Sequence, residues 1–165
     1  MQYRRYFVMG WVLVSADCSS NEGDGSHAGI DAGITPDTGS ITCMIDGVPW
    51  TSAGSTIVAF MNPGFLGVAA SERPLPDPGR SIHLSVQNVT GPGTFSLADG
   101  GQAIIAVGSH EEWIADAVNG GGVITITTLT ASRATGTFRF VAEALRNKSA
   151  IGTKTVAAGT FDVKL

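Results

Sequence analysis

The sequence predicts an all-β fold, an antiparallel β-sandwich or barrel-like domain over residues 41–165, set behind a signal segment and a disordered tether. Three observations predict the β domain. From residue 41 onward apolar side chains recur at every second position, the period of a strand with one buried face. Ile82, Leu84 and Val86 alternate with Ser81, His83, Ser85 and Gln87, and Ile124 and Ile126 alternate with Thr125 and Thr127. Turn-forming clusters punctuate these runs: Asn62-Pro63-Gly64, Pro74 to Gly79, Gly91-Pro92-Gly93, Asp99-Gly100-Gly101 and Asn119 to Gly122. Many short strands separated this way are the pattern of sandwiches and barrels. Finally, 22 glycines and only 15% charged residues favour sheet and turns over exposed helices.

The first element is a hairpin. Thr42-Cys43-Met44-Ile45 leads into Asp46-Gly47, a two-residue connection of the type I′ kind, which needs positive φ at both central residues. That turn sets Ile45 opposite Val48 and places Cys43, Ile45, Val48 and Trp50 on one face. Pro49 cannot donate to a ladder, so its strand belongs at an edge or is short. Cys43 reads as a buried thiol acting as a small hydrophobe.

Further on, one phrase occurs three times: Gly93-Thr94-Phe95-Ser96-Leu97, Gly136-Thr137-Phe138-Arg139-Phe140 and Gly159-Thr160-Phe161-Asp162-Val163. Each reads as a turn glycine, an outward Thr and an inward Phe that anchors the core. The unequal offsets between copies exclude a fixed-period solenoid. Burying each Phe contributes ~2–3 kcal/mol before ordering costs. Residues 109–118 admit two readings. Ser109 and Glu112 have capping-box spacing ahead of a stripe of Trp113, Ile114, Ala117 and Val118, which is helical. The segment also lies between two strand candidates.

Residues 1–18 have the layout of a bacterial export signal. Arg4 and Arg5 precede an apolar run, Tyr6 to Ala16, that ends at Asp17-Cys18. Cys18 is the candidate lipid-attachment residue, with Val14-Ser15-Ala16-Asp17 as a lipobox-like string. Cleavage after Ala16 by the ordinary signal peptidase is the alternative, since Val14-Ser15-Ala16 satisfies the small-residue rule. An uncleaved anchor is the third reading, but a run this short falls below the ~20 residues of a membrane span. Arg4-Arg5-Tyr6-Phe7 also resembles a twin-arginine signal. Residues 19–40 are almost all Gly, Ser, Asp, Thr and Ala. Such a segment buries too little apolar area to offset its ordering entropy, so it reads as a disordered tether. A thioether at Cys18 excludes a Cys18–Cys43 disulfide.

Several phrases together resemble an uncharacterised family of small bacterial all-β lipoproteins. They are Ile45-Asp46-Gly47-Val48-Pro49-Trp50-Thr51, Gly122-Val123-Ile124-Thr125-Ile126-Thr127, and the closing Gly136-Thr137-Phe138-Arg139-Phe140 and Gly159-Thr160-Phe161-Asp162-Val163. The resemblance covers residues 41–165. It implies an exported, membrane-tethered all-β domain, and it implies no activity and no catalytic residues. It also favours strand over helix around Trp113. Asp17, just before Cys18, departs from the small residue usual there.

Chemistry is sparsely signalled. The net charge is -4 and the basic residues are scattered, so the electrostatic footprint of a nucleic-acid binder is missing. No apolar stretch of ~18 residues follows residue 16. His27 falls in the tether, His83 points outward from a strand, and His110 stands beside Glu111, Glu112 and Asp116. A divalent metal on His83, His110 and Glu111, or with Asp116, would make the chain a small secreted metal-dependent hydrolase. No HExxH spacing accompanies these residues, and adjacent residues of a strand point oppositely, so a solvated acidic turn is the favoured reading. Gly54-Ser55 and Gly108-Ser109 lack the flanks of a nucleophile elbow. Glu72, Glu111, Glu112 and Glu143 qualify as paired carboxylates by count alone. The sequence therefore points to a non-enzymatic domain without a cofactor. For binding, the candidates are Arg73, in the proline-stiffened loop 73–79, and Trp113 as a platform for a sugar or a partner. A rigid connector and a core tryptophan are the competing roles. The expected partners are the membrane through a lipid anchor and an envelope protein or glycan, not nucleic acid. The expected location is the outer membrane or a periplasm-facing surface, or alternatively secretion.

Overall fold

The computed structural model describes residues 39–165 apart from 75, 77 and 147. The signal segment, Cys18, and the tether up to residue 38 lie outside the described residues. Eleven strands appear among those described: β1 (Gly39–Ile45), β2 (Val48–Ala53), β3 (Ile57–Asn62), β4 (Gly64–Ser71), β5 (Arg80–Val89), β6 (Gly93–Ser96), β7 (Gln102–Val107), β8 (Glu111–Ala115), β9 (Gly121–Leu129), β10 (Arg133–Ala144) and β11 (Thr153–Lys164). Two single 3-10 turns, Gly54–Thr56 and Leu97–Asp99, are the other regular elements described. The chain is all-β, and every pairing is antiparallel.

The strands form a nearly closed, barrel-like sheet in the order β2-β1-β11-β10-β8-β7-β5-β4-β3, with β9 also on β10 and β6 on β9. The branch point is β10. Its residues 134–141 pair with β9, and then Glu143 and Ala144 pair with β8. Across the interior, Leu66, Val68, Leu84 and Val86 of β4 and β5 meet Ile124 of β9 and Phe161 of β11 around an apolar gap of only about 10 Å³. That is at the lower limit for one water, and the site lacks the polar partners a water needs. The barrel interior is a filled core.

The Asp46-Gly47 turn has φ of 51° and 79°, and Ile45 faces Val48 in register. Asp46 also fastens the turn to β11: its carboxylate accepts from Thr155 N–H at 2.8 Å and from Lys154 Nζ at 2.8 Å. These bonds hold its carboxyl below the ordinary range. Cys43, Ile45 and Trp50 are buried, as the hairpin face requires, but Val48 is 52% exposed because the hairpin end projects past the core. β2 ends the strand order, the edge position that Pro49 demands. β1 starts at Gly39, two residues inside the stretch expected to be tether. Gly39 has φ +94° and lies against Asp162 and Val163 of β11, where a side chain would clash. The 109–118 segment is strand: Trp113 and Ala115 join the core cluster, and Trp113 pairs with Ile105 of β7. Ser81, expected outward, is only 8% exposed. The Trp50 indole N–H, buried, has no partner among the described residues, which carries a desolvation cost.

The repeated phrase works differently from its sequence reading. The second and third copies are cross-strand partners: Gly136 pairs with Phe161, Thr137 with Thr160 and Phe138 with Gly159. Each ring covers the opposite glycine. A Cβ at Gly136 would lie 2.5 Å from the Phe161 ring, and one at Gly159 would lie 2.5 Å from the Phe138 ring. Gly136 and Gly159 are therefore mid-strand receivers for a ring, not turn residues. Phe138 and Phe161 are each 3% exposed. The first copy pairs with β9, Gly93 with Ile126 and Phe95 with Ile124, and Phe95 stays partly exposed.

β11 carries one extra residue beside this lock. Both neighbouring ladders shift there, and Ala158 sits at φ 50°. This bulge switches the inward set from Val156 to Phe161 and Val163 and adds the local twist that bends a sheet toward closure. Outside the same layer runs a row of threonines, one per strand. Thr94 pairs with Thr125, Thr125 with Thr137, Thr137 with Thr160, Thr160 with Thr42 and Thr42 with Thr51. At strand spacing the row spans roughly 24 Å. Hydroxyl bonds join Thr94 to Thr125 at 3.0 Å and Thr42 to Thr160 at 2.9 Å.

Gly136→Ala and Gly159→Ala are each expected to lower stability by about 2–3 kcal/mol, since a central strand has no room for the methyl. Ala158→Gly is expected to raise it by about 0.5–1 kcal/mol, relief of the left-handed conformation exceeding the entropy cost of glycine. Urea unfolding of the three variants measures both. A neutral Gly136→Ala would contradict the ring-on-glycine account.

Candidate binding cleft at the end of strand β5

β7 follows β5 only from Arg80 to Ser85. Beyond Ser85 the β7 side of β5 is open, and the chain turns through residues 90–92 into β6. Among the described residues β6 pairs with β9 alone, and its residues 94–96 border the same cleft as residues 86–88 of β5. The Leu97–Asp99 turn closes the floor. Leu97 is fully buried, the Ser96 hydroxyl accepts from Ala98 N–H at 3.1 Å, and Gly100 ends the turn at φ +100°.

These elements enclose a cleft of about 180 Å³ lined by Val86, Gln87, Asn88, Thr94, Phe95, Ser96, Asp99 and Gly101. Asn88 has φ +59° and occupies a register shift, with Gly64 opposite Val89 and Phe65 opposite Gln87. A bulge of this kind re-aims a side chain, and asparagine tolerates the left-handed region better than most residues. Among the described residues Asp99 is the only titratable group in the lining, and no cation borders it. The lining residues carry two amides, two hydroxyls, one carboxylate and one partly exposed ring.

The sequence-predicted candidates lie elsewhere. Trp113 is 5% exposed. Its indole N–H donates to the Ile151 carbonyl at 3.2 Å, and Lys154 Nζ stands 5.1 Å from the ring centroid. It is a core tryptophan with no ring face open to a ligand. Arg73 is exposed at the base of the proline loop. Its N–H donates to the Pro78 carbonyl at 3.2 Å, and its own carbonyl accepts from the Ser71 hydroxyl at 2.8 Å. Beside it, Glu72 and Arg80 clamp the loop with an ion pair of 2.7 Å. Cys18 is outside the described residues.

The structure does not bring His83, His110 and Glu111 together. His83 pairs with Ile104 and Glu111 with Val107, three residues apart along β7 or roughly 10 Å. The two side chains also project from opposite faces, because an odd spacing reverses direction. His110 sits in the β7–β8 turn, where its carbonyl accepts from Ser149 N–H at 3.0 Å and from the Ser149 hydroxyl at 3.1 Å. Burial draws the His83 pKa below its ordinary value, opposed by the Glu112 charge. Among the described residues no three His, Cys, Asp or Glu side chains converge as a metal site.

The cleft residues were missed for a readable reason. Phe95 belongs to a phrase whose other copies are core anchors, and only its strand partner distinguishes it. Asn88 falls at the inward parity of Ile82, Leu84 and Val86, and only the bulge, which buries Val89 instead, brings it to the surface. The chain has no significant match to a family model, a curated protein or a solved structure.

Cys43 is a free, buried thiol. Burial pushes it up to about 11 from an ordinary 9.0, against a smaller pull from the Arg80 charge. Between those values the unfolded chain has released its proton and the folded chain has not, so stability falls as pH rises through that window. Urea unfolding from pH 8 to 11 is expected to show a loss on the order of 2 kcal/mol that Cys43→Ala lacks. Parallel curves for the two proteins would refute this.

Proposed function

We propose that this chain is an exported cell-envelope protein, lipid-anchored through Cys18, whose β domain is a binding or structural module rather than an enzyme. The observation that carries the module reading is the filled interior, with an apolar gap of about 10 Å³, against an open cleft of about 180 Å³ with mixed polar and apolar lining at the end of β5. A domain built this way engages ligands at its edge, and a lining with a single titratable side chain favours recognition over acid–base work. Support for the anchor comes from the sequence: the basic start, the apolar run to Ala16, Cys18 and the Gly/Ser/Asp-rich stretch behind it. The outer membrane or a periplasm-facing surface is the proposed location.

The test is the intact mass of the mature protein isolated from the membranes of a bacterial host. A mass beginning at Cys18 with acyl chains is expected, and Cys18→Ser is expected to move the protein out of the membrane fraction. An unacylated mass beginning at Asp17 would replace the anchor with simple secretion.

A further inference from the structure

We propose that the cleft between β5 and β6 binds a sugar ring of a neutral glycan. The inference deepens the binding-module reading and does not need the lipid anchor. Four observations carry it.

The first is the odd behaviour of Phe95. Three identical Gly-Thr-Phe phrases place two rings in the core at 3% exposure each, whereas Phe95 packs on the edge of the core, stays partly exposed and borders the cleft. A partly exposed ring gives the apolar face of a pyranose a surface to stack on, while its edge leaves polar neighbours free to bond. The second is the placement of the amides. Gln87 and Asn88 follow one another on a strand and would ordinarily point to opposite faces. The bulge at Asn88, with φ +59°, breaks that alternation, and both residues are exposed and border the same cleft. Each amide offers donor and acceptor sites side by side, and a sugar hydroxyl both donates and accepts. Non-glycine residues held in the left-handed region concentrate at ligand sites.

The third is charge. One carboxylate, Asp99, borders the cleft and no cation does, so phosphate and carboxylate ligands gain nothing there, whereas a carboxylate is a strong acceptor for sugar hydroxyls. The fourth is size and surroundings. A cleft of about 180 Å³ is below the roughly 300–1,000 Å³ of drug-sized pockets and suits a single ring. At its rim Thr94 begins the threonine row that continues through Thr125, Thr137, Thr160, Thr42 and Thr51. A row of hydroxyls therefore extends from the cleft, flanked by Arg139 and by the Arg133–Asp162 pair, and further units of a glycan would lie along it. A peptide adding to the free edge of β6 is the competing occupant. With only four residues, Gly93–Ser96, that edge offers a short ladder, and strand addition makes no use of the amides or the ring.

Amide shifts of the 15N-labelled mature protein test the proposal. The probes are cellotriose, maltotriose and N-acetylated chitotriose, each to about 10 mM, the range of weak single-ring binding. Glucose 6-phosphate and a capped valine–threonine tetrapeptide serve as comparisons. Saturable shifts at residues 86–88 and 93–101 with at least one neutral trisaccharide are expected. Phe95→Leu, which keeps apolar volume but removes the ring face, and Asn88→Gly, which suits the positive φ, should each weaken that binding about tenfold. Three results would overturn it: no shift at these amides with any trisaccharide, equal binding by both variants, or a response to the tetrapeptide alone. Titration and membrane mass are independent, so an unacylated protein that binds the sugar removes the anchor and leaves the site.

Discussion

The structure depends on two rings laid over two glycines. Phe138 covers Gly159 and Phe161 covers Gly136 across adjacent central strands. Glycine inside a strand is ordinarily a weakness, since it has more entropy to lose and no side chain to pack. Here the missing side chain is the space the ring occupies. The exchange is reciprocal, so neither strand can slip. A one-residue shift in register would set each ring against a residue with a Cβ and would turn the inward set outward. β10 and β11 are also the strands that join the two arms of the sheet, which makes their register the reference for the rest.

The bulge at Ala158 follows from that constraint. Gly159 and Phe161 must face the core to meet Phe138 and Gly136, while Val156 must face it to fill the layer below. An even spacing cannot satisfy both, and the extra residue resolves the parity. The twist it adds draws the sheet round until β4 and β5 pack against β9 and β11. Closure fills the interior with side chains, so any ligand site is left to the edges. One gap in pairing falls where the β5–β7 ladder stops at Ser85 and β6 hangs from β9.

Much of this was legible in the residues. Alternation identified Ile82, Leu84, Val86, Ile124 and Ile126 as core, and all are buried. Asp46-Gly47 specified the first hairpin and its register. Strand rather than helix at Trp113 is a case of tertiary context overriding a local capping signal. What the pattern concealed is relational. Val48 shares a face with buried residues, yet it lies past the end of the core. Ser81 alternates outward but is buried. Gly136 and Gly159 carry the same phrase as Gly93, and only the strand each faces decides whether the glycine follows a turn or receives a ring. A phrase repeated in one chain states a shared local preference; its pairing partner determines the outcome.

Charge placement separates the structural surface from the cleft. The ion pairs fasten turns and strand ends: Asp46 with Lys154 at the first hairpin, Glu72 with Arg80 at the proline loop, Lys148 with Glu112 beside β8, and Arg133 with Asp162 at the start of β10. The Arg133 pair is bidentate, at 2.6 and 2.7 Å. It lowers the Asp162 pKa, as the Lys154 and Thr155 bonds lower that of Asp46. Both carboxylates stabilise the fold above the ordinary carboxylate pKa, and both contributions are lost as pH falls through the lowered values. These pairs are exposed enough for salt to screen them, so each contributes little, and their effect is to hold chain ends in place. The cleft lies apart from all four. Among the described residues it carries one carboxylate, Asp99, and no cation, and a surface of hydroxyls, amides, that carboxylate and one ring recognises by shape and hydrogen bonds.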